Sequence, residues 1–303
     1  MLEKIFLFLS QLVKSVLSLL KVLIRSRFFL PKYPVRAAEF YILGNGPSLN
    51  IALNQHSESL KLNALLCVNG FSLTEHFENI KPQYYIINAP EFWAQNTLVG
   101  QTFEKERGTI NNMTKSIVEK TSWGMTIYLP VQSKQNKSFI QYFKSNPHIT
   151  LAFYNTTPVE GLKAISHFLF SLWLGSPRPH NVLIPSILIG INSGVKNIYL
   201  LGADHSWLPL ISVDDENRAL VNHKHFYDEE NSVNKQMHKY GKAPRRLHEI
   251  LEKFVFSFRA YFELKDYAAT KGVKIFNCTP GSFIDAFDRK DLEKVLKDSV
   301  VRK

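Results

Sequence analysis

Tyr41-Ile42-Leu43-Gly44-Asn45-Gly46-Pro47-Ser48-Leu49 is the stretch that decides the fold. An apolar run rich in aromatic and β-branched side chains passes straight into a Gly-x-Gly turn. A buried strand in an α/β protein reads this way where it feeds a ligand-binding loop. Glycines at Gly44 and Gly46 let the backbone approach a ligand closely, and the N–H groups of such a turn suit a phosphate. The dinucleotide fingerprint Gly-x-Gly-x-x-Gly is excluded, because Leu49 stands at its third glycine.

Working outward, similar short runs recur at Phe40–Leu43, Leu65–Val68, Tyr84–Ile87, Thr126–Leu129, Thr150–Phe153, Asn197–Leu201 and Lys274–Asn277. Helical patterns lie at Leu162–Leu174, Pro185–Asn192 and Leu247–Thr270, the last closing on Lys271-Gly272. Strand–helix alternation predicts a single Rossmann-like α/β domain over residues 37–303 with a mostly parallel sheet. Residues 208–245 are the least apolar stretch and predict a long loop or lid.

Two further strands end as the first does, in Val68-Asn69-Gly70-Phe71 and Ile87-Asn88-Ala89-Pro90. Ligands of parallel sheets bind beyond the carboxyl ends of the strands. Asn45, Asn69 and Asn88 therefore predict a cluster of neutral donors and acceptors suited to a ribose, a base edge or a phosphate; helix caps and turns are the alternative use. A fourth strand leads into Gly202-Ala203-Asp204-His205-Ser206-Trp207. There Asp204 is suited to orient a histidine or a substrate hydroxyl, and His205 to carry a proton. Asp214-Asp215-Glu216 imitates a metal-binding run but reads equally as a solvated loop, and His223-x-His225 without a nearby cysteine is a poor zinc site. There is no Gly-x-Ser-x-Gly elbow and no Walker lysine, which leaves an esterase or P-loop kinase without support.

The chain has 303 residues, 45% hydrophobic and 21% charged, which excludes a disordered protein. Two cysteines, Cys67 and Cys278, cannot make a disulfide framework and suggest a reducing compartment. The net charge is +11, and residues 1–36 hold seven basic residues (Lys4, Lys14, Lys21, Arg25, Arg27, Lys32, Arg36) against Glu3. The remaining body is only mildly basic and lacks zinc-finger spacing or an aromatic–basic box, which argues against nucleic acid. Within residues 2–24 the uncharged run before Lys14 is nine residues, too short to cross a bilayer as it stands. Lys4, Gln11, Lys14, Ser18, Lys21 and Arg25 fall on one helical stripe, with Leu, Ile, Phe and Val elsewhere. Residues 1–36 thus predict an amphipathic helix and linker lying in an anionic membrane surface. A tilted span and a helix packed on the body are the alternatives.

These motifs resemble the bacterial sialyltransferases of glycosyltransferase family 42. The resemblance rests on Leu43-Gly44-Asn45-Gly46-Pro47-Ser48-Leu49, Val68-Asn69-Gly70-Phe71, Asn88-Ala89-Pro90-Glu91-Phe92, Gly194 through Asp204, and Phe276-Asn277-Cys278-Thr279-Pro280. The related domain of motility accessory factors and 6-hydroxymethylpterin diphosphokinase-like proteins shares the opening, and the similarity spans roughly residues 39–285. The resemblance implies a Rossmann-like domain with a lid, a CMP-linked sugar donor as cosubstrate and no required metal or other cofactor. It implies donor contacts from Gly44, Asn45, Gly46, Ser48, Asn69 and Asn88. The family's Arg-x-x-Ser-Gly stretch is here Pro179-His180-Asn181-Val182-Leu183, and its paired lid tyrosines are not evident. Asn181 and the lid's Tyr227 are the corresponding donor-binding candidates. The family's histidine base corresponds in chain order to His248, with His205, His225 and Asp204 as further candidates. The implied function is a membrane-associated transferase, peripheral on the cytoplasmic face of the inner membrane. It would move a sugar, sialic-acid-like by the resemblance, onto a cell-envelope glycan or glycolipid such as lipopolysaccharide or capsule. A metal-dependent diphosphate transfer and a non-catalytic nucleotide-binding adaptor are the alternatives.

Overall fold

All seven predicted strands form in the computed structural model, which describes residues 2–93, 102–222, 235–236 and 244–301. The helix α1 (Leu2–Arg25) precedes β1 (Glu39–Leu43), α2 (Leu49–Lys61), β2 (Ala64–Val68), α3 (His76–Ile80), β3 (Tyr84–Ile86) and α4 (Thr102–Lys120). Next come β4 (Met125–Pro130), α5 (Lys137–Lys144), β5 (Ile149–Tyr154), α6 (Lys163–Ser171), α7 (Leu183–Ser193) and β6 (Asn197–Leu201). The last third holds β7 (Ile211–Val213), β8 (Ala219–Val221), β9 (Lys235–Gln236), α8 (Leu247–Thr270), β10 (Lys274–Asn277), β11 (Asp288–Arg289) and α9 (Leu292–Val301).

Eight strands form a parallel sheet in the order β11-β10-β6-β1-β2-β3-β4-β5. From β1 the chain steps outward to β5, then crosses back to β6 on the other side of β1. The direction of winding reverses between these two strands, which opens a crevice beyond their carboxyl ends. Leu43 at the end of β1 pairs with Cys67 on one side and Leu201 on the other. Side chains alternate between two cores, as strands covered on both faces require. Phe40 and Ile42 pack with α6, α7 and α8, while Tyr41 and Leu43 pack with α2, α4, α5 and α9. On that second face Tyr41, Tyr199 and Phe276 stack across β1, β6 and β10 at centroid distances of 4.8 and 5.6 Å.

Residues 208–245 are not loop throughout, as the sequence reading had it. β7, β8 and β9 form a small antiparallel sheet, because Ala219 and Val221 have an apolar surface to cover in Ile250 and Phe254 of α8. The acidic run Asp214-Asp215-Glu216 is the turn of this β7–β8 hairpin, held by Arg218 at 2.6 Å to Asp214 and 2.8 Å to Glu216. Helix α1 lies against the body by a narrow face of small residues. Ser18 Oγ donates to Glu160 O at 2.8 Å and accepts from Glu160 N at 2.9 Å, and Ser15 Oγ accepts from Leu162 N at 2.8 Å. Gly161 permits this approach, since a Cβ there would stand 2.2 Å from Ser15 Oγ. Residues 26–36 continue along the body, where Ser26 and Val35 are buried and Val35 N donates to Ser193 Oγ at 2.9 Å.

The ends of β1 and β6 meet through glycines. A Cβ on Gly44 would lie 2.5 Å from Gly202 O, and one on Gly202 would lie 2.7 Å from Gly44 O. Gly202 also has φ +61, whereas Gly44 and Gly46 have ordinary backbone angles, so at those two positions close approach alone demands glycine. Gly202→Ala is expected to destabilise the fold by about 2–5 kcal/mol, from a left-handed alanine plus overpacking. Gly194 shares the positive φ but faces open space, so Gly194→Ala is expected to cost only about 1–2 kcal/mol. Urea denaturation of the two variants checks this: equal losses would mean that the β1–β6 contact carries no special constraint.

Candidate functional site

A cavity of about 660 Å³ opens beyond the carboxyl ends of β1, β2, β3 and β6, within the size range of small-molecule sites. Of the twelve site residues expected from sequence, Gly44, Asn45, Gly46, Asn69, Asn88, Asn181, Asp204 and His205 line it together. Ser48 stands just behind the wall and fixes Asp204, with its N donating to Asp204 Oδ1 at 3.1 Å and its Oγ to Oδ2 at 2.8 Å. Those two bonds favour the charged carboxylate, yet burial outweighs them and holds the Asp204 pKa above the usual carboxylate range. His248 lies on the exposed first turn of α8, outside the cavity wall, because the inward stripe of that helix begins at Ile250. His225 and Tyr227 lie outside the described residues.

The Gly-x-Gly turn does not offer its amides as the sequence reading expected. Gly44 N donates to Leu201 O at 2.7 Å and Gly46 N to Gly202 O at 2.8 Å. With Ser48 N on Asp204, three of the turn's N–H groups serve to bind β1 to the β6 end, which removes them as phosphate donors. The neighbouring strand ends are also shaped for the cavity. Asn69 and His205 both adopt positive φ, +47 and +52, a conformation costing about 1–2 kcal/mol per residue that clusters at functional sites. Tyr85 Oη donates to Asn69 O, and Tyr154 Oη donates to Asn88 Oδ1 at 2.9 Å.

His205 is fully enclosed. Its ring lies 4.1 Å from that of Trp207, and Nε2 is 2.6 Å from Tyr261 Oη. Tyr261 donates its proton to Asn181 Oδ1 at 3.1 Å, so its oxygen is left to accept from His205 Nε2–H. Burial pushes the His205 pKa down to about 3, which makes this imidazole a neutral structural donor. Asn181 Oδ1 also accepts from Leu183 N at 2.9 Å and caps α7, while its Nδ2, shielded from solvent, has no partner among the described residues.

Three titratable cavity residues escaped the sequence reading: Glu91, His180 and Lys253. Glu91 and His180 sat in quoted motifs without being assigned a role. Lys253 adjoins the inward stripe Ile250, Phe254, Ser257 and Tyr261 of α8, and a lysine beside such a stripe was the available signal. His180 stacks on Phe256 at 5.4 Å, and its Nε2 and Glu91 Oε2 are shielded without a partner among the described residues. Burial first, then the charges of Lys253, Arg178 and Arg245, push the His180 pKa down to about 4. Burial also lowers the Lys253 pKa. Among the described residues no three His, Cys, Asp or Glu side chains form a metal-ligating group.

No family model matches the chain, and no curated protein matches it. Among solved structures it is similar to the MAf glycosyltransferase from Magnetospirillum magneticum AMB-1, with 10% identity and a TM-score of 0.47 over 95% of this chain and 40% of that one. The chain thus spans two fifths of that protein's length, and a likeness of this size carries no argument about activity.

The state of His205 has a consequence in acid. Its folded pKa is about 3 against 6.5 for an ordinary imidazole, so the unfolded chain takes up the proton first. Stability from this group is complete above pH 6.5 and is lost as pH falls toward 3, at up to about 1.4 kcal/mol per pH unit. His205→Asn keeps a residue that tolerates the left-handed backbone and removes the titration. The loss of Tm between pH 7 and pH 5 is expected to be smaller in this variant than in the wild type. An identical loss would mean that His205 titrates freely in the folded chain.

Proposed function

We propose that the chain is a glycosyltransferase that binds a nucleotide-linked sugar in the cavity beyond β1 and β6. The observation that carries this reading is the wall itself: Asn45, Asn69, Asn88, Asn181 and Asp204 converge from five separate segments on one cavity at the reversal point of a parallel sheet. Neutral amides at strand ends suit ribose and base edges, and the motif resemblance to family 42 points to the same class of ligand. The acceptor hydroxyl attacks the anomeric carbon as the bond to the phosphate oxygen breaks, and a base takes the hydroxyl proton. Asp204 is the base supported best, being in the wall, held rigidly by Ser48 and of raised basicity. His205 is less suited, because its Nε2 is committed to Tyr261.

A membrane-bound acceptor, a cell-envelope glycan or glycolipid at the cytoplasmic face, is supported by α1. Outside its serine face the helix is exposed and apolar, with Phe6 at 72%, Leu23 at 65% and Ile24 at 82% exposure. Ser15, Ser18 and the backbone of Gln11 sit on the body beside Glu160–Leu162, so the helix is docked along one side and turns its apolar side chains outward, a geometry that supports a helix lying in the interface.

A thermal-shift screen of CMP-, UDP-, GDP- and dTDP-linked sugars is expected to raise Tm with at least one, equally with and without EDTA. A chain lacking residues 2–14 should keep that shift and lose binding to vesicles containing phosphatidylglycerol. With the donor identified, Asp204→Asn should slow transfer by about 10²–10⁴-fold while keeping the shift. No shift with any donor would sink the transferase reading, a shift that requires Mg²⁺ would favour diphosphate transfer, and undiminished vesicle binding by the truncated chain would sink the anchor.

A further inference from the structure

Between α1 and β1 the chain is pinned to the body at two places. At the first, Arg27 N donates to Asn155 Oδ1 at 2.8 Å and Asn155 Nδ2 donates back to Arg27 O at 2.9 Å. The buried Ser26 reinforces it, with Oγ 2.6 Å from Leu174 O and 2.7 Å from Thr157 Oγ1. At the second, Tyr128 Oη donates to Tyr33 O, and Val35 N donates to Ser193 Oγ. Both ends of the loop 27–33 are therefore fixed, yet Phe29 in it is 98% exposed and Phe28 is 46% exposed. A lone exposed phenylalanine is ordinary. This pair follows Leu23 and Ile24, which are exposed at the end of α1, so four large apolar side chains turn outward within residues 23–29. Arg25, Arg27 and Lys32 are exposed among them, and residues 25–36 contain no Asp or Glu.

We infer that the loop 27–33 is a second lipid contact, in which Phe28 and Phe29 insert into an anionic bilayer while Arg25, Arg27 and Lys32 meet its headgroups. The inference rests on the reading of α1 as an interfacial anchor and adds a contact that belongs to the folded body. Lipid is the occupant that fits on three grounds. The charge around the two rings has one sign, opposite to that of phosphatidylglycerol headgroups. The apolar surface runs on in the chain from the outward face of α1, and basic residues beside Phe and Leu are the composition of an interfacial contact. The ends of the loop are already ordered by the body, so inserting the rings costs little further backbone freedom. The loop also stands next to the ligand cavity. Asn155 and Thr157 hold it, and Thr156 between them lines the cavity beyond β5. A glycolipid acceptor in the same bilayer would thus have its headgroup held close to the cavity wall, by a part of the body that α1 does not supply.

The test places a polarity-sensitive fluorophore on single cysteines in the full-length chain. Cys67 and Cys278 are buried, so the label goes to the introduced thiol, and wild type carried through the same reaction gives the background. Phe29→Cys reports on the loop and Leu23→Cys on α1. Ile51→Cys is the control, being exposed on α2, which packs on the other core of the sheet. With vesicles of phosphatidylcholine and phosphatidylglycerol, the labels at 23 and 29 should brighten and be quenched by lipids carrying a spin label in the acyl chain, and the label at 51 should not respond. Replacing both rings, Phe28→Ser with Phe29→Ser, should weaken vesicle partitioning by about 10–100-fold at unchanged Tm. A response at 23 with silence at 29, or undiminished partitioning of the double variant, would overturn the loop contact and leave the α1 anchor standing. A label at 29 that responds to protein concentration without vesicles would assign the rings to a second copy and overturn the lipid contact too. If the wild type binds no vesicles, the anchor reading itself fails and the loop contact falls with it.

Discussion

The close contact of Gly44 with Gly202 is the constraint on which the rest of the molecule depends. Two backbone segments cross where any side chain would force them apart, and the amides of Gly44 and Gly46 bond to Leu201 and Gly202 across the contact. That crossing sets Gly46 and Ser48 against Asp204 although they are far apart in sequence. It also seats Ser48 under the Asp204 carboxylate, so one glycine turn both closes the sheet at its reversal point and aims an acid into the cavity.

Around this fixed point the cavity has two unlike walls. The strand-end wall is rigid, with its backbone held by the eight-stranded sheet and by Tyr85 on Asn69 O, and with the side chains of Asn88 and Asp204 tied to Tyr154 and Ser48. The α7–α8 wall is held through the His205–Tyr261–Asn181 chain, and His180 Nε2 and Asn181 Nδ2 are shielded there without a partner among the described residues. The same neighbourhood continues to the surface. Arg178 joins Glu160, whose backbone holds Ser18 of α1 and whose carboxylate feels Lys14 and Lys21. The amphipathic helix is therefore braced against the segment that adjoins the cavity wall.

Much of the fold was legible because strands covered on both faces carry continuous apolar runs, and α8 announced itself by its length and its Lys271-Gly272 stop. Helices α2 and α5 escaped because each buries only a few side chains, Leu49, Leu53 and Leu60 in α2 and Phe139 and Phe143 in α5, so their apolar period is sparse. The small β7–β8–β9 sheet escaped because its strands are two or three residues long. The strand-end rule found Asn45, Asn69, Asn88, Asp204 and His205. The sequence did not show that His205 is buried against Tyr261, or that the amides of Gly44 and Gly46 bond to the β6 end, because both depend on which segments the fold brings together. Lys253 belongs to no motif, and only the fold shows that its helix and the segment holding His180 border one cavity.

Hydrogen–deuterium exchange of the full chain, with and without a nucleotide sugar that raises its Tm, tests the central claim most directly. If the cavity at the β1–β6 reversal is the binding site, added protection should appear together in residues 68–70, 88–91, 179–184 and 250–257, which surround it from both walls. Protection confined to other surfaces, with these four segments unchanged in the presence of saturating nucleotide, would contradict the account.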